Sequence, residues 1–180
     1  MVSELRKNKL NYVFDTFFDV NKDGSIEKND FELAVENIAR IRGYKAGDAN
    51  YKDVNDRFLQ IWDKLRIFAD TNKDNKVSRE EWLALWNEPL NEEWKQLYMN
   101  FMFRLQDTSG DGTIDEAEFT NVCQTFGISG DESKKAFSKI SGDGKVDIDI
   151  KVYEGLWKDY FSSDDAAASG NSIFGKTSFP

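Results

Sequence analysis

The sequence predicts an all-α chain of four helix–loop–helix units arranged as two pairs. Three observations carry this. One twelve-residue pattern recurs along the chain, and the stretches flanking each copy place apolar residues at helical spacing. The 180 residues also include only 2 Pro and 12 Gly, too few to interrupt long helices often. With 39% hydrophobic residues, among them 14 Phe, 6 Tyr and 5 Trp, a substantial core can be built. The expected division is a first pair over 1–88, a second over 89–161 and a tail over 162–180. A break is expected near "NEPLNEE" (87–93), where Pro89 can start a helix but not continue one.

The repeats are "DVNKDGSIEKND" (19–30), "DTNKDNKVSREE" (70–81) and "DTSGDGTIDEAE" (107–118). Position 1 is Asp19, Asp70 or Asp107; position 3 is Asn21, Asn72 or Ser109; position 5 is Asp23, Asp74 or Asp111. Position 9 is Glu27, Ser78 or Asp115, and position 12 is Asp30, Glu81 or Glu118. This is the EF-hand pattern, and its spacing has a physical reason. Ca²⁺ takes six to eight oxygens at short range. A tight loop can aim side chains 1, 3, 5 and 9 inward, together with the position-7 carbonyl of Ser25, Lys76 or Thr113. The acid at 12 opens the next helix and swings in to complete the shell. Position 6 needs a positive φ, which Gly24 and Gly112 adopt freely and Asn75 tolerates. Three calcium sites are therefore expected.

The flanks fit. "YVFDTFF", "IWDKLRIFA" and "YMNFMFRL" lead into the loops; "FELAVENIARI", "WLALW" and "FTNVCQTF" follow them. Most of their aromatics are read as core. The position-8 aliphatics Ile26, Val77 and Ile114, with Ile148, are expected to pair two by two as short antiparallel ribbons, coupling loop one to two and three to four.

The fourth copy, "SGDGKVDIDIKV" (141–152), fits the frame through Ile148 at position 8 and Tyr153 after the end. Lys145 then stands at position 5, Val146 at the turn and Val152 at position 12. A register two residues back fails as well. Loop four is expected to partner loop three and bind nothing, leaving Asp143, Asp147 and Asp149 as solvated acids. Loop one departs less: Asp30 is one methylene shorter than Glu. Its shorter reach favours a six-oxygen shell, which Mg²⁺ demands and Ca²⁺ tolerates, so a mixed Ca²⁺/Mg²⁺ site is expected.

Net charge is −9 with a pI near 4.7, against nucleic acid or anionic membrane as partner. There is no histidine, no general base is apparent once the acids serve as ligands, and no enzyme is expected. The single cysteine, Cys123, lies on an apolar helical face and reads as a packed thiol. "MVSELRKNKL" has no signal-like apolar stretch, Val2 is not the glycine that N-myristoylation needs, and no apolar run spans a bilayer. The expectation is a cytosolic monomer.

The tail carries "GNSIFGKT" (170–177), which matches G-x-x-x-x-G-K-[ST]. A phosphate-cradling loop needs a strand before it and a helix after it. Here "SSDDAAASG" precedes it and only "SFP" follows. Docking of Ile173, Phe174 and Phe179 onto the body is the preferred reading.

Taken with these features, the chain resembles the invertebrate sarcoplasmic calcium-binding protein family, most closely its calexcitin branch. The resemblance rests on four hands with a degenerate fourth and on loop starts at 19, 70, 107 and 141, whose first interval of 51 residues exceeds the later 37 and 34. "YMNFMF", "EEWLALW" and "GNSIFGKTSFP" add to it. It implies a two-lobed all-α body with the tail packed between lobes, and cytosolic calcium buffering in muscle or neurons. For calexcitins it implies a signalling role, with GTP binding and action on potassium channels and calcium release. The buffer is preferred, because 3 Met against 25 aromatics suits a body that stays closed on binding calcium. The alternative is a calcium sensor acting on an ion channel, with a GTP link. A luciferin-binding protein, which can also end in Pro as Pro180 does, is the third class.

Overall fold

The computed structural model describes residues 2–88 and 92–179 and bears out the all-α class. Pro89 and Pro180 lie outside the described residues. Helix α1 (Glu4–Val13) continues into a π-helical turn (Phe14–Phe18), closed by the Asp19 N–H donating to Phe14 O at 2.8 Å. Then come β1 (Ser25–Ile26), α2 (Lys28–Arg42), α3 (Ala49–Ala69), β2 (Val77–Ser78), α4 (Arg79–Leu85) and α5 (Glu92–Gln106). The chain goes on through β3 (Thr113–Ile114), α6 (Glu116–Thr125), α7 (Gly130–Ser141), β4 (Ile148–Asp149) and α8 (Ile150–Ser162), ending in a 3₁₀ turn (Ser169–Ser172).

The four strands form two antiparallel ribbons. Ser25 faces Ser78 and Ile26 faces Val77; Thr113 faces Asp149 and Ile114 faces Ile148. The position-8 aliphatics thus meet as the sequence suggests, and all four are buried. The long first interval is filled by α2 and by the 21-residue α3, which pack on each other. Gly43 ends α2 in a left-handed conformation (φ 71°), and Tyr44 N–H returns to Ala39 O at 2.8 Å.

Contacts group the chain into two units, Asn11–Tyr98 and Met1–Leu10 with Met99–Pro180. The division falls inside α1 and α5 rather than at 87–93, and the first residues group with the C-terminal half. Polar contacts explain this. Arg6 Nε donates to Phe161 O at 3.0 Å, Tyr160 OH donates to Lys9 O at 2.8 Å, and Ser3 bonds Asp164.

The core of unit Asn11–Tyr98 is aromatic. Phe18 packs on Phe31, Trp82 and Tyr98, and Trp94 stacks on Tyr98 at 5.7 Å and 11°. Trp94 also donates its indole N–H to Ile61 O at 3.2 Å, satisfying the one polar atom of a fully buried ring. Not every flanking apolar residue is core: Ile67 is 70% exposed and the aromatic Phe68 38%.

In the other unit, Phe103, Tyr153, Trp157, Tyr160 and Phe161 form the core with the tail. Ile173 and Phe174 are buried, and Phe174 touches Trp157, Tyr160 and Phe161. The expected docking of the tail is thus observed, here against α8 and α7.

Candidate metal centres

Position 9 of every loop is the residue before the exiting helix: Glu27, Ser78, Asp115 and Asp149 are the N-caps of α2, α4, α6 and α8. Position 12 is therefore the third residue of that helix. There an acid can fold back to the free N–H of the cap and close a capping box. The acid expected from the sequence to complete a cation's shell is thus the same side chain that starts the helix.

In loop one Asp30 accepts Glu27 N–H at 2.9 Å and Asn21 N–H, at position 3, at 3.0 Å. Glu81 does the same in loop two toward Ser78 (2.9 Å) and Asn72 (3.4 Å), and Glu118 in loop three toward Asp115 (3.0 Å) and Ser109 (2.8 Å). The position-1 carboxylates accept the position-6 N–H groups: Gly24 on Asp19 at 3.0 Å, Asn75 on Asp70 at 2.9 Å, Gly112 on Asp107 at 3.1 Å. The position-5 carboxylates accept the N–H of position 7: Ser25 on Asp23, Lys76 on Asp74, Thr113 on Asp111. Position 6 takes the positive φ foreseen: 90° at Gly24, 64° at Asn75 and 90° at Gly112. The three loops therefore repeat in backbone path and in hydrogen bonding.

Among the described residues no three acidic, histidine or cysteine side chains converge closely enough to hold a metal alone. Each loop's carboxylates at positions 1, 5 and 12 instead accept N–H groups of the loop's own backbone. Asn21, Asn72 and Ser109 and the carbonyls of Ser25, Lys76 and Thr113 stand between them in sequence. All six expected donor positions are present in each loop, and this set of hard oxygens fits Ca²⁺ or Mg²⁺.

Loop four follows another path. Its positive φ values fall at positions 2, 3 and 4 (Gly142 57°, Asp143 59°, Gly144 78°), and Val146 at position 6 is not among them. Ser141 donates its hydroxyl to Phe137 O at 2.7 Å, and Val146 N–H bonds Ser141 O at 3.0 Å. Val152 cannot close a capping box. Asp149 is not simply solvated, which corrects its reading from sequence: it caps α8, accepting Val152 N–H at 2.9 Å. Asp143 pairs with the Ser138 hydroxyl, while Asp147 is exposed.

Electrostatics separate loop one from the others. Burial opposes ionisation of Glu118, but N–H donors from Asp115 and Ser109 and the hydroxyls of Ser109 and Thr108 outweigh it and hold the carboxyl below its usual range. Glu81 is held low in the same way by Ser78, Thr71 and Asn72. At Asp30 burial wins: the residue is fully buried, and Asp19 and Asp23 add like charge, so its carboxyl is raised despite two N–H donors.

Two features beside the loops escaped the sequence reading. Lys76 Nζ reaches across the ribbon to Glu27 Oε2 at 3.5 Å. A groove of about 430 Å³ runs beside loop two, lined by Ile67, Phe68, Ala84, Leu85 and the stem of Glu81. Ribbon arithmetic could have placed Lys76 opposite Glu27; no local signal marks the groove.

The P-loop-like tail spends its residues on packing. A side chain at Gly170 would stand 2.3 Å from Leu156 O, and one at Gly175 (φ 81°) 2.8 Å from Cys123 Sγ. Thr177 donates both N–H (2.9 Å) and hydroxyl (2.8 Å) to Glu132, and Lys176 lies over the Phe179 ring at 5.2 Å.

This fold and these loops define an EF-hand calcium-binding protein. The family model described as "EF hand" matches residues 16–35, 67–86 and 102–123, each span enclosing one of loops one to three. Sarcoplasmic calcium-binding proteins I, III and IV of Branchiostoma lanceolatum are 33% identical, covering 97% of this chain and 98% of theirs. Calexcitin-1 of Caenorhabditis elegans is 31% identical over 95% of this chain and 86% of its own. A solved sarcoplasmic calcium-binding protein from amphioxus superposes with a TM-score of 0.79 at 34% identity, covering 98% of this chain and 99% of that one. The chain belongs to the family of sarcoplasmic calcium-binding proteins and calexcitin.

Proposed function

We propose that this chain is a cytosolic calcium buffer of muscle or neurons with three sites, the first shared with Mg²⁺. The ligands are Asp19, Asn21, Asp23, Ser25, Glu27 and Asp30; Asp70, Asn72, Asp74, Lys76, Ser78 and Glu81; and Asp107, Ser109, Asp111, Thr113, Asp115 and Glu118. The observation that carries the count is the repeated position-12 capping box, present in loops one to three and missing in loop four. Loop one stands apart because Asp30 is short and fully buried, which suits a tight six-oxygen shell.

Burial of the mobile groups supports a buffer over a sensor. Met99 and Met102 lie in the core rather than on a surface, and Ile173 and Phe174 of the tail fill the face between α7 and α8 that a target helix would need. Among the described residues no helix is long and apolar enough to cross a membrane.

One observation favours a second reading, a calexcitin-like sensor acting on a protein such as an ion channel. The groove beside loop two exposes Ile67 and Phe68, and Glu81 belongs to both groove and loop. A GTP link forms no part of either reading, since Thr177 N–H is committed to Glu132 and Gly175 N–H to Ser172 O.

Equilibrium calcium binding with and without millimolar Mg²⁺ tests the count. The expected result is three Ca²⁺ per chain, one weakened by Mg²⁺. Four tight ions, or three untouched by Mg²⁺, would overturn the count or the mixed site respectively.

A further inference from the structure

We propose that the residue facing position 9 across each ribbon sets the cation affinity of the loop it faces: Lys76 weakens loop one, and Asp147 strengthens loop three. The second half gives loop four a task, although it lacks ligands of its own.

The register fixes the pairs. Ser25 faces Ser78 and Ile26 faces Val77, so one step further Glu27 faces Lys76, and their side chains meet at 3.5 Å. Thr113 faces Asp149 and Ile114 faces Ile148, so the same step sets Asp115 against Asp147. By register, one position-9 acid faces a lysine and the other an aspartate. Ribbon neighbours lie about 5 Å apart, which puts the facing charge roughly 10 Å from an ion in the loop. At that range in a water-like medium, one charge changes divalent affinity by about threefold at low salt, fading as the Debye length shrinks. Lys76 and Asp147 are both exposed, so the effect does not require repacking.

The inference rests on loops one and three binding calcium, and its test separates the two claims. Gly24 and Gly112 N–H each donate to the position-1 carboxylate of their own loop, so their amide resonances report the two loops individually. Chelator-buffered calcium titrations of the full chain would follow both amides in wild type, Lys76→Gln, Asp147→Asn and Asp147→Lys. The expected result is a Gly24 midpoint shifted to about threefold lower calcium in Lys76→Gln. The Gly112 midpoint should move to about threefold higher calcium in Asp147→Asn and about tenfold higher in Asp147→Lys, all collapsing in 1 M salt. Metal-free melting gives a second readout of opposite sign. Lys76→Gln should lower the melting temperature, by removing a cation among repelling acids, and Asp147→Asn should raise it. A merely damaging change would lower affinity and stability together. Midpoints that stay put at low salt, with both amides still answering calcium, overturn the inference alone. Amides indifferent to calcium in wild type overturn the binding reading beneath it.

Discussion

At position 12 one carboxylate closes a capping box and, in the function proposed above, also serves as a calcium ligand. Glu118→Gln keeps the shape but loses a charge, and an amide cannot accept both N–H groups through equivalent oxygens. Loop three affinity should fall by roughly two orders of magnitude, with loops one and two nearly unchanged, in a site-resolved calcium titration. The converse change, Val152→Glu, should create no fourth site. Lys145 still stands at position 5, and the positive φ values lie at positions 2 to 4 instead of 4 and 6. Gain of a fourth ion in that variant would show that the side chain, not the backbone path, silences loop four. The repeated pattern was legible in the sequence because its spacing is local: six oxygen-bearing positions recur within twelve residues. Asp149 was misread for the opposite reason, since its role as a cap depends on where α8 begins.

At the scale of elements, the tail is held by close approach. Gly170 sits so near α8 that any side chain would meet Leu156 O, and Gly175 covers the Cys123 thiol. Burial pushes that thiol up to about 12, against one opposing hydrogen bond from Ser133. Cys123 should therefore resist a thiol reagent at pH 8 in the native protein. Gly170→Ala should release the tail and speed labelling about tenfold for each 1.4 kcal/mol of docking lost. Unchanged labelling would mean that the tail does not guard the thiol.

Lys9 anchors the same region. It is fully buried, and its ammonium donates to Asn171 Oδ1 at 2.8 Å and Ser163 O at 2.9 Å. Burial, with Arg6 nearby, lowers it from 10.5 to about 8 despite Asp164 and Asp159. Between these values the unfolded chain holds the proton that the folded chain has lost, so the Lys9 contribution to stability rises with pH across that window. Wild type should gain melting temperature relative to Lys9→Met from pH 8 to 10; a constant difference would contradict the buried-ammonium account. Nothing local predicted this. A lysine in "LRKNKL" looks like any surface lysine until α8 and the tail close over it.

For the whole molecule, the class and the paired loops could be read from repeats and periodicity, and the docked tail from its large apolar residues Ile173, Phe174 and Phe179. The π-helical turn at Phe14–Phe18, the grouping of the first residues with the C-terminal half and the groove at Ile67 and Phe68 could not. The grouping of the first residues depends on contacts far apart in sequence, the groove on how α3 meets α4, and no local pattern announces the π-helical turn. The groove also carries the argument between buffer and sensor, because it leaves Ile67 and Phe68 exposed beside loop two.

The most direct test is a calcium titration in millimolar Mg²⁺ with an environment-sensitive hydrophobic dye present. Dye fluorescence should stay flat while three Ca²⁺ bind, because Ile173 and Phe174 remain docked and the loop-two groove does not widen. A rise that tracks calcium would contradict the buffer and establish a calcium-opened apolar surface.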